Sequence, residues 1–215
     1  LVDSLLFCLG RRFLESSNLD LLRHSRGFRE KSEPWFKFGL TAGPYGSKSE
    51  LGFNLLFPVE KGGETLAEHV CPWWMGYLLA SPVRRLFERP EDILDGLVTD
   101  GMVALDVGCA MGFFSIPIAK MVGHGGRVVC VDLQQRMLES LDRRAQRAGV
   151  KDRLELRKCS KESLGIEDLS GDVSFALAYA MVHEVPDATR LFEQIYQSLK
   201  IGGQFLMAEP RGHVS

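Results

Sequence analysis

The chain has 215 residues, of which 45% are hydrophobic and 25% charged, a composition typical of an ordinary globular protein with room for one sizeable domain. Its formal net charge of -2 gives no electrostatic basis for binding nucleic acid or an anionic membrane, and no apolar run approaches the roughly 20 residues of a membrane-spanning helix. The five cysteines are odd in number and lack metal-ligand spacing, so we expect free thiols in the cytoplasm and neither a disulfide framework nor a metal site.

Residues 1–65 have poor periodicity, with scattered turn residues and no rhythm of helices or strands. One hypothesis is that the native protein begins near Leu66. Residues 61–64 can be encoded by a purine-rich string that resembles a bacterial ribosome-binding site, and Leu66 by the minor start codon TTG. On that hypothesis residues 1–65 carry no selected structure, which the nucleotide sequence can test.

Residues 66–98 have the pattern of a helical lid, which the pair Ser81-Pro82 interrupts. Four large side chains are spaced for one face of a helix: Trp73, Trp74, Tyr77 and Leu78. Two interpretations stand side by side. The aromatic side chains bury against the following domain, or they also line a substrate cavity.

From residue 99 to 215, strand-like and helix-like segments alternate with short connections. The predicted strands cover residues 102–107, 127–132, 154–158, 173–178 and 204–208. The predicted helices cover residues 113–122, 134–148 and 187–199, with Gly149 ending the second and Asp187 capping the third. This alternation predicts an α/β domain whose parallel sheet is covered by helices on both faces.

The turn after the first of these strands is the most informative feature. Gly108 and Gly112 follow an apolar strand, and the next strand ends in Asp132. Glycines in such a turn allow a ligand to approach the backbone, and an acid at the second strand end can accept hydrogen bonds from ribose hydroxyls. The G-x-G-x-x-G pattern of nicotinamide dinucleotide sites is not met, because Ala110 lies between the two glycines.

The segment Asp106-Val107-Gly108 opens a D-x-G-x-G/A-x-G pattern that resembles motif I of the class I S-adenosylmethionine-dependent methyltransferases. The turn at 199–203 resembles the family's L-K-P-G-G turn, and the likeness extends over residues 72–210. The chain is similar to the type 11 and ubiquinone/menaquinone-biosynthesis groups of that family. The resemblance implies a Rossmann-like doubly wound sheet with five parallel strands present. The family's C-terminal antiparallel hairpin is expected to be missing, together with part of the acceptor pocket.

The resemblance also implies which residues contact S-adenosylmethionine. Asp106 would influence the charge near the sulfonium and amino-acid part, Asp132 would take both ribose hydroxyls, and Leu133 would pack near adenine. Ser160 stands where the family often has an aspartate that bonds the adenine amine, a bond that a serine hydroxyl can also accept. The complete set of implied contacts is Asp106, Gly108, Cys109, Ala110, Gly112, Asp132, Leu133, Ser160 and Ala178.

Each of these residues also has an interpretation without a ligand. The two glycines can serve close packing of a helix on a strand, and Asp106 can cap loop amides. Asp132 can cap the next helix. Their joint spacing within one βαβ unit favours the nucleoside site.

Two residue groups are candidates for the acceptor side. His183 follows the fourth strand and can act as a general base for a hydroxyl, thiol or amine, because its ordinary pKa lies near neutrality. Alternatively His183 and Glu184 line the acceptor pocket or stabilise the first turn of the next helix. Glu209 ends the fifth strand at the same sheet edge and can add a carboxylate.

The resemblance therefore implies methyl transfer from S-adenosylmethionine to a small-molecule acceptor. The alternatives are a non-catalytic S-adenosylmethionine-binding protein and a nicotinamide-dependent oxidoreductase. The pair His69 and Cys71 has no companion cluster that would make it a metal site.

Overall fold

The structure, a computed structural model, describes residues 35–41, 72–74, 76–77 and 80–210. A six-stranded sheet with the order β1-β6-β5-β2-β3-β4 forms its centre. The strands are β1 (Trp35–Thr41), β2 (Val103–Val107), β3 (Arg127–Asp132), β4 (Leu154–Lys158), β5 (Val173–Tyr179) and β6 (Leu199–Pro210). Strands β2 to β6 are parallel, whereas β1 pairs antiparallel with β6.

Helices cover both faces of this sheet. They are α1 (Pro90–Leu94), α2 (Ser115–Met121), α3 (Gln135–Ala148) and α4 (Ala188–Ser198). Single 3-10 turns lie at Arg84–Leu86, Lys151–Arg153, Glu167–Leu169 and Val182–Glu184. The predicted doubly wound fold class with five parallel strands is confirmed.

Alternate residues of the central strands enter two separate cores, as the period of two in a strand requires. Ala104 and Val128 join the cluster that contains residues of α1, α2 and α3. Leu105 and Val129 join the cluster that contains residues of α4. Because both faces are covered, every residue of β5 is buried, and the strand is apolar along nearly its whole length.

The predicted helix ends agree with the structure. Gly149 follows α3 in the left-handed conformation at φ 69°, which a glycine adopts without a Cβ clash. The Asp187 carboxylate accepts a hydrogen bond of 3.0 Å from the backbone N–H of Arg190 and so caps α4. In the part of the chain that the structure describes, no helix is long and apolar enough to cross a membrane.

Two features of the sheet were not predicted. Strand β6 is longer than the predicted 204–208, and β1 lies in the stretch where the sequence analysis expected no element. β1 pairs along β6 from Trp35 opposite Pro210 to Thr41 opposite Gln204. The sequence pattern did not indicate β1, to which β6 offers its backbone N–H and C=O groups as partners.

Gly126 provides a test of the packing between α2 and β3. A Cβ atom at Gly126 would lie 2.5 Å from the carbonyl oxygen of Met102 and 2.6 Å from the Cβ of Val122. Because neither neighbour can move freely, we expect Gly126→Ala to lower the free energy of unfolding in urea by about 1–3 kcal/mol. Gly125→Ala is the matched control, because its Cβ would be 3.7 Å from the nearest atom. Equal losses in the two variants would contradict this packing.

Candidate functional site

A cavity of about 470 Å³ opens at the carboxyl ends of the parallel strands, which is where α/β sheets place their ligands. Its walls come from the turn after β2, the end of β3, the loop after β4 and the segment between β5 and α4. The lid contributes Gly76, Ala80 and Arg84. This volume lies within the roughly 300–1,000 Å³ of small-molecule sites.

The turn after β2 is held against β3 by backbone hydrogen bonds. The N–H groups of Gly108 and Cys109 donate to the carbonyl oxygen of Val131 at 2.8 and 3.1 Å. Ala110 follows at φ 46°, a left-handed conformation that is rare for a residue with a side chain. Such backbone geometry persists only where surrounding contacts hold it, and it is concentrated at functional sites.

Gly108 and Gly112 have different roles in this turn. At Gly108, which has φ 71°, a Cβ would lie 2.7 Å from the Cγ of Met181 in the segment after β5. At Gly112 a Cβ would lie 2.3 Å from Leu141 of α3. Gly108 therefore allows Met181 of the segment after β5 to pack against the turn at the cavity, whereas Gly112 allows α3 to pack and is not among the lining residues.

Asp132 connects the end of β3 to the turn after β2. Its Oδ2 accepts a 2.8 Å hydrogen bond from the N–H of Ala110, and its Oδ1 accepts one of 2.8 Å from the N–H of Gln134. Each carboxylate oxygen has a second lone pair that can accept a further bond from a ligand. Burial raises the pKa of Asp132, and the two backbone hydrogen bonds act in the opposite direction.

Asp106 is the more deeply buried acid, with 3% of its surface exposed. The Ser115 hydroxyl donates to its Oδ2 at 2.5 Å. Burial is the main cause that raises the pKa of Asp106 to about 7, and the nearby Asp132 adds to the increase. This wall of the cavity therefore suits a ligand that brings positive charge.

Ser160 lies in the cavity wall, but its hydroxyl oxygen serves its own loop. It accepts the backbone N–H groups of Glu162 at 3.2 Å and Ser163 at 3.0 Å. Because a hydroxyl has two acceptor positions and one donor, the O–H remains for a ligand. Next to it, burial raises the pKa of the Cys159 thiol to about 11.

The structure brings most of the predicted cofactor residues together around this cavity. Those that line it are Asp106, Gly108, Cys109, Ala110, Asp132, Leu133 and Ser160. Gly112, Ala178 and His183 are not among the lining residues. Strand β5 runs one residue further than predicted, so that Tyr179 and Ala180 line the cavity in place of Ala178.

On the acceptor side, a buried carboxylate organises the segment after β5. Glu209 has 2% of its surface exposed, and its Oε1 accepts the N–H groups of Met181 at 2.9 Å and Val182 at 2.7 Å. Its Oε2 lies 2.6 Å from Nδ1 of His183. Glu184, the residue after His183, lines the cavity.

The aromatic side chains before α1 are neither buried against the domain nor part of the cavity wall. Trp73, Trp74 and Tyr77 are 39%, 58% and 55% exposed, and none of them is among the lining residues. The cation of Arg84 instead lies 4.1 Å from the centre of the Phe113 ring at the cavity wall. Arg84 was not predicted, because nothing in the sequence distinguishes it from the neighbouring Arg85. Leu78, His69 and Cys71 lie outside the described residues, among which no cluster of three potential metal ligands occurs.

A doubly wound sheet, a glycine turn and an acid at the next strand end define the class of α/β proteins that bind nucleosides at the carboxyl ends of their strands. Within that class, the chain belongs to the methyltransferase domain family, whose model matches residues 98–215. The predicted resemblance is confirmed.

Individual proteins support this family assignment. The demethylmenaquinone methyltransferase of Lactobacillus johnsonii is 31% identical over 107 residues, 50% of this chain and 43% of that protein. A ubiquinone/menaquinone biosynthesis C-methyltransferase of Enterobacter sp. is 29% identical over 138 residues, 63% of this chain and 53% of that protein. The chain thus spans about half the length of the curated relatives it matches.

Solved structures show the same architecture. A SAM-dependent methyltransferase from Aquifex aeolicus has a TM-score of 0.56 and 25% identity, with coverage of 61% of this chain and 69% of that one. A putative S-adenosyl-L-methionine-dependent methyltransferase from Methanococcus maripaludis has a TM-score of 0.54 at 20% identity, with 67% of each chain covered, and shows the fold alone.

The raised pKa of Asp106 predicts a pH-dependent cost of burying this acid. Because the folded-state pKa of about 7 exceeds the ordinary 3.8, the stabilising contribution is fully present below the ordinary value and is lost as the pH rises through about 7. Asp106→Asn stays neutral throughout. We expect its free energy of unfolding in urea, relative to wild type, to increase by a few kcal/mol between about pH 5 and 8, at about 1.4 kcal/mol per pKa unit. The exposed Asp95→Asn is the control, and a pH-independent difference for Asp106→Asn would contradict the buried charge.

Proposed function

We propose that the cavity binds S-adenosylmethionine and that the protein transfers its methyl group to a small-molecule acceptor. The observation that carries this proposal is the joint geometry of Asp132 and the turn after β2. The Asp132 carboxylate accepts a hydrogen bond from the Ala110 amide and has lone pairs left for a ligand. Gly108 lies beside it at φ 71° and lines the cavity together with Met181. Membership of the methyltransferase domain family agrees with that use.

The residues present fit this ligand. The remaining lone pairs of Asp132 would accept hydrogen bonds from the ribose hydroxyls, and Leu133 would contact adenine. Gly108, Cys109 and Ala110 would lie along the amino-acid part. Ser160 would donate its O–H to an adenine ring nitrogen, because its oxygen already accepts two backbone N–H groups. This is a different role from the acceptor role expected from sequence.

The electrostatics of the donor side also fit. S-adenosylmethionine supplies a methyl group on a cationic sulfonium, which an acceptor nucleophile displaces in line. Asp106 and Asp132 lie in the same wall, and a cation bound near them would favour their ionised forms. Residues of the cavity would hold donor and acceptor in line and exclude water, the main requirement for a displacement of this kind.

We further propose a phenolic ring of the quinol type as the acceptor class. Phe113, Phe114 and Tyr179 line the cavity, and the rings of Phe114 and Tyr179 have centroids 4.4 Å apart. Aromatic walls of this kind suit a planar ring. The names of two relatives, demethylmenaquinone methyltransferase and ubiquinone/menaquinone biosynthesis C-methyltransferase, support the same class. A nucleic acid partner is disfavoured by the net charge of -2.

In this proposal the chain is divided as the sequence suggests. Residues 66–98 act as a lid, residues 99–215 bind the cofactor, and the cytoplasm is the expected compartment.

Isothermal titration with S-adenosylmethionine and transfer of a labelled methyl group to 1,4-naphthalenediol, kept reduced under nitrogen, test the proposal. Binding without labelled product over a panel of phenols, thiols and amines would favour a non-catalytic binding protein. Binding of NADH in place of S-adenosylmethionine would favour the oxidoreductase.

Asp132→Asn is the first variant to test in this site. The substitution retains size but removes the charge and one acceptor oxygen, so that ribose hydroxyls lose charge-assisted hydrogen bonds worth about 1.5–3 kcal/mol each. We expect the Kd for S-adenosylmethionine, measured by calorimetry, to rise by at least about tenfold. Asp142→Asn on α3 removes an exposed carboxylate as a control. An unchanged Kd in a folded Asp132→Asn protein would rule out the proposed ribose contact.

Gly108→Ala tests the approach of the ligand to the turn. Gly171 has φ 73° and no atom within 4 Å of a built Cβ, so Gly171→Ala measures the cost of the left-handed backbone alone. At Gly108 the added Cβ also meets Met181 in the cavity wall. We expect both variants to lose about 1 kcal/mol of stability from the backbone, and only Gly108→Ala to bind S-adenosylmethionine at least about tenfold more weakly. Equal affinities would show that the ligand does not depend on this wall.

A further inference from the structure

The segment Val182–Glu184 presents one of two neighbouring ionisable side chains to the cavity. Glu184 lines it, together with Met181 before it and Val185 after it, whereas His183 is not among the lining residues. Within this 3-10 turn successive side chains are about 120° apart, so His183 and Glu184 point in different directions. The acid therefore faces the cavity, and the imidazole lies behind it.

Glu209 fixes the imidazole in that position. Its carboxylate accepts two backbone N–H groups from the same segment and lies 2.6 Å from Nδ1 of His183. An ionised carboxylate can only accept, so the neutral ring carries its proton on Nδ1 and its lone pair on Nε2. Glu209 thus sets both the orientation and the tautomer of the ring.

The lone pair of this tautomer is directed at the cavity-facing acid. Nε2 of His183 is 4.0 Å from Oε1 of Glu184. Both atoms can accept a proton, so a proton on Glu184 lies close to a second base, the imidazole that Glu209 orients. The side chain of His183 is 24% exposed, which leaves a route from the ring to solvent.

We propose that Glu184 accepts the proton of the methyl acceptor, and that His183 and Glu209 are positioning residues that hold this proton afterwards. This inference rests on the proposed methyl transfer and names the residue that serves its acceptor side. As the acceptor oxygen or ring carbon attacks with its electron pair, the methyl–sulfur bond breaks and the sulfur keeps its electron pair as a thioether. The acceptor's proton moves to the Glu184 carboxylate, from there to Nε2 of His183, and then to water.

Other ionisable groups in the cavity are less suited to this role. They are Arg84 before α1, Asp106 in β2, Cys109 in the turn after β2, Asp132 at the end of β3, Cys159, Lys161 and Glu162 in the loop after β4, Tyr179 at the end of β5, and Asp187 and Arg190 at the start of α4. The Asp187 carboxylate caps α4, and the Asp106 carboxylate is held by Ser115 on the donor side. The two arginines are permanently charged donors and cannot accept a proton. Glu184 is the acid that adjoins a second base.

The role of Glu184 is tested by methyl-transfer kinetics together with two measurements that do not depend on activity. Wild type, Glu184→Gln, Glu184→Asp, His183→Gln and the exposed control Glu193→Gln are compared in the full chain with 1,4-naphthalenediol as the probe acceptor. Calorimetry gives the affinity for S-adenosylmethionine, and ¹⁵N NMR of labelled histidine gives the ring tautomer of His183. We expect Glu184→Gln to keep the affinity and the Nδ1–H tautomer while kcat at neutral pH falls by at least about a hundredfold.

The pH profile distinguishes proton acceptance from a merely structural role. The wild-type rate is expected to fall toward acid pH as the pair takes up a proton. The deficit of Glu184→Gln is expected to shrink as the pH approaches about 10, where a phenol ionises without help. Glu184→Asp is expected to recover part of the rate, His183→Gln to lower kcat more than it changes KM, and Glu193→Gln to match wild type.

Three results would overturn the inference. The first is a kcat for Glu184→Gln within about twofold of wild type. The second is a loss of kcat in Glu184→Gln that stays constant with pH, because the substitution then has not removed a base. A wild-type protein without affinity for S-adenosylmethionine would refute the proposed function and this inference together. Retained affinity with an unaffected Glu184→Gln rate would refute this inference alone.

Discussion

The hydrogen bond from the Ala110 amide to the Asp132 carboxylate is the contact on which the site depends. It joins the ends of β2 and β3, which are adjacent in the sheet, and it acts together with two bonds to the Val131 carbonyl oxygen. These bonds hold Ala110 in a left-handed conformation that the residue would not adopt alone. The hydrogen bonding between β2 and β3 therefore continues into the turn and holds its backbone in place.

The same contact concentrates negative charge in a place with little water. Burial raises the pKa values of Asp106 and Asp132, and each carboxylate is retained through hydrogen bonds from the surrounding chain. The nearby thiols respond in the same direction: burial raises the pKa of Cys109 and that of Cys159, so both remain protonated at neutral pH. A protonated buried thiol is a poor nucleophile. These cysteines therefore form part of the cavity wall and are not its nucleophiles.

Local sequence signals predicted the parallel sheet, and the family resemblance implied most of the residues that line the cavity beside β2 and β3. An apolar run predicted β3 and an alternating pattern predicted β4, both with their observed bounds. The spacing of the motif predicted the glycine turn. β1 was missed although Phe36, Phe38 and Leu40 alternate with Lys37, Gly39 and Thr41. Its partner strand is distant in the chain, so no neighbouring element pointed to it. Which side chain lines the cavity after β5 could not be predicted from the sequence. The choice between His183 and Glu184 depends on a 3-10 turn and on the contact of His183 with the remote Glu209.

The two halves of the cavity thus have different origins. The donor half depends on contacts between β2 and β3, consecutive strands whose pairing is set within one βαβ unit. The acceptor half depends on β6: the Ala180 N–H donates to the Ala208 carbonyl oxygen at 2.7 Å, and Glu209 follows directly. In the sheet Glu209 also lies opposite Phe36 of β1. A change at that outer edge would move the carboxylate that orients the acceptor loop while leaving Asp132 and its turn in place. In the proposed function, acceptor specificity can therefore vary through the sheet edge without loss of the donor site.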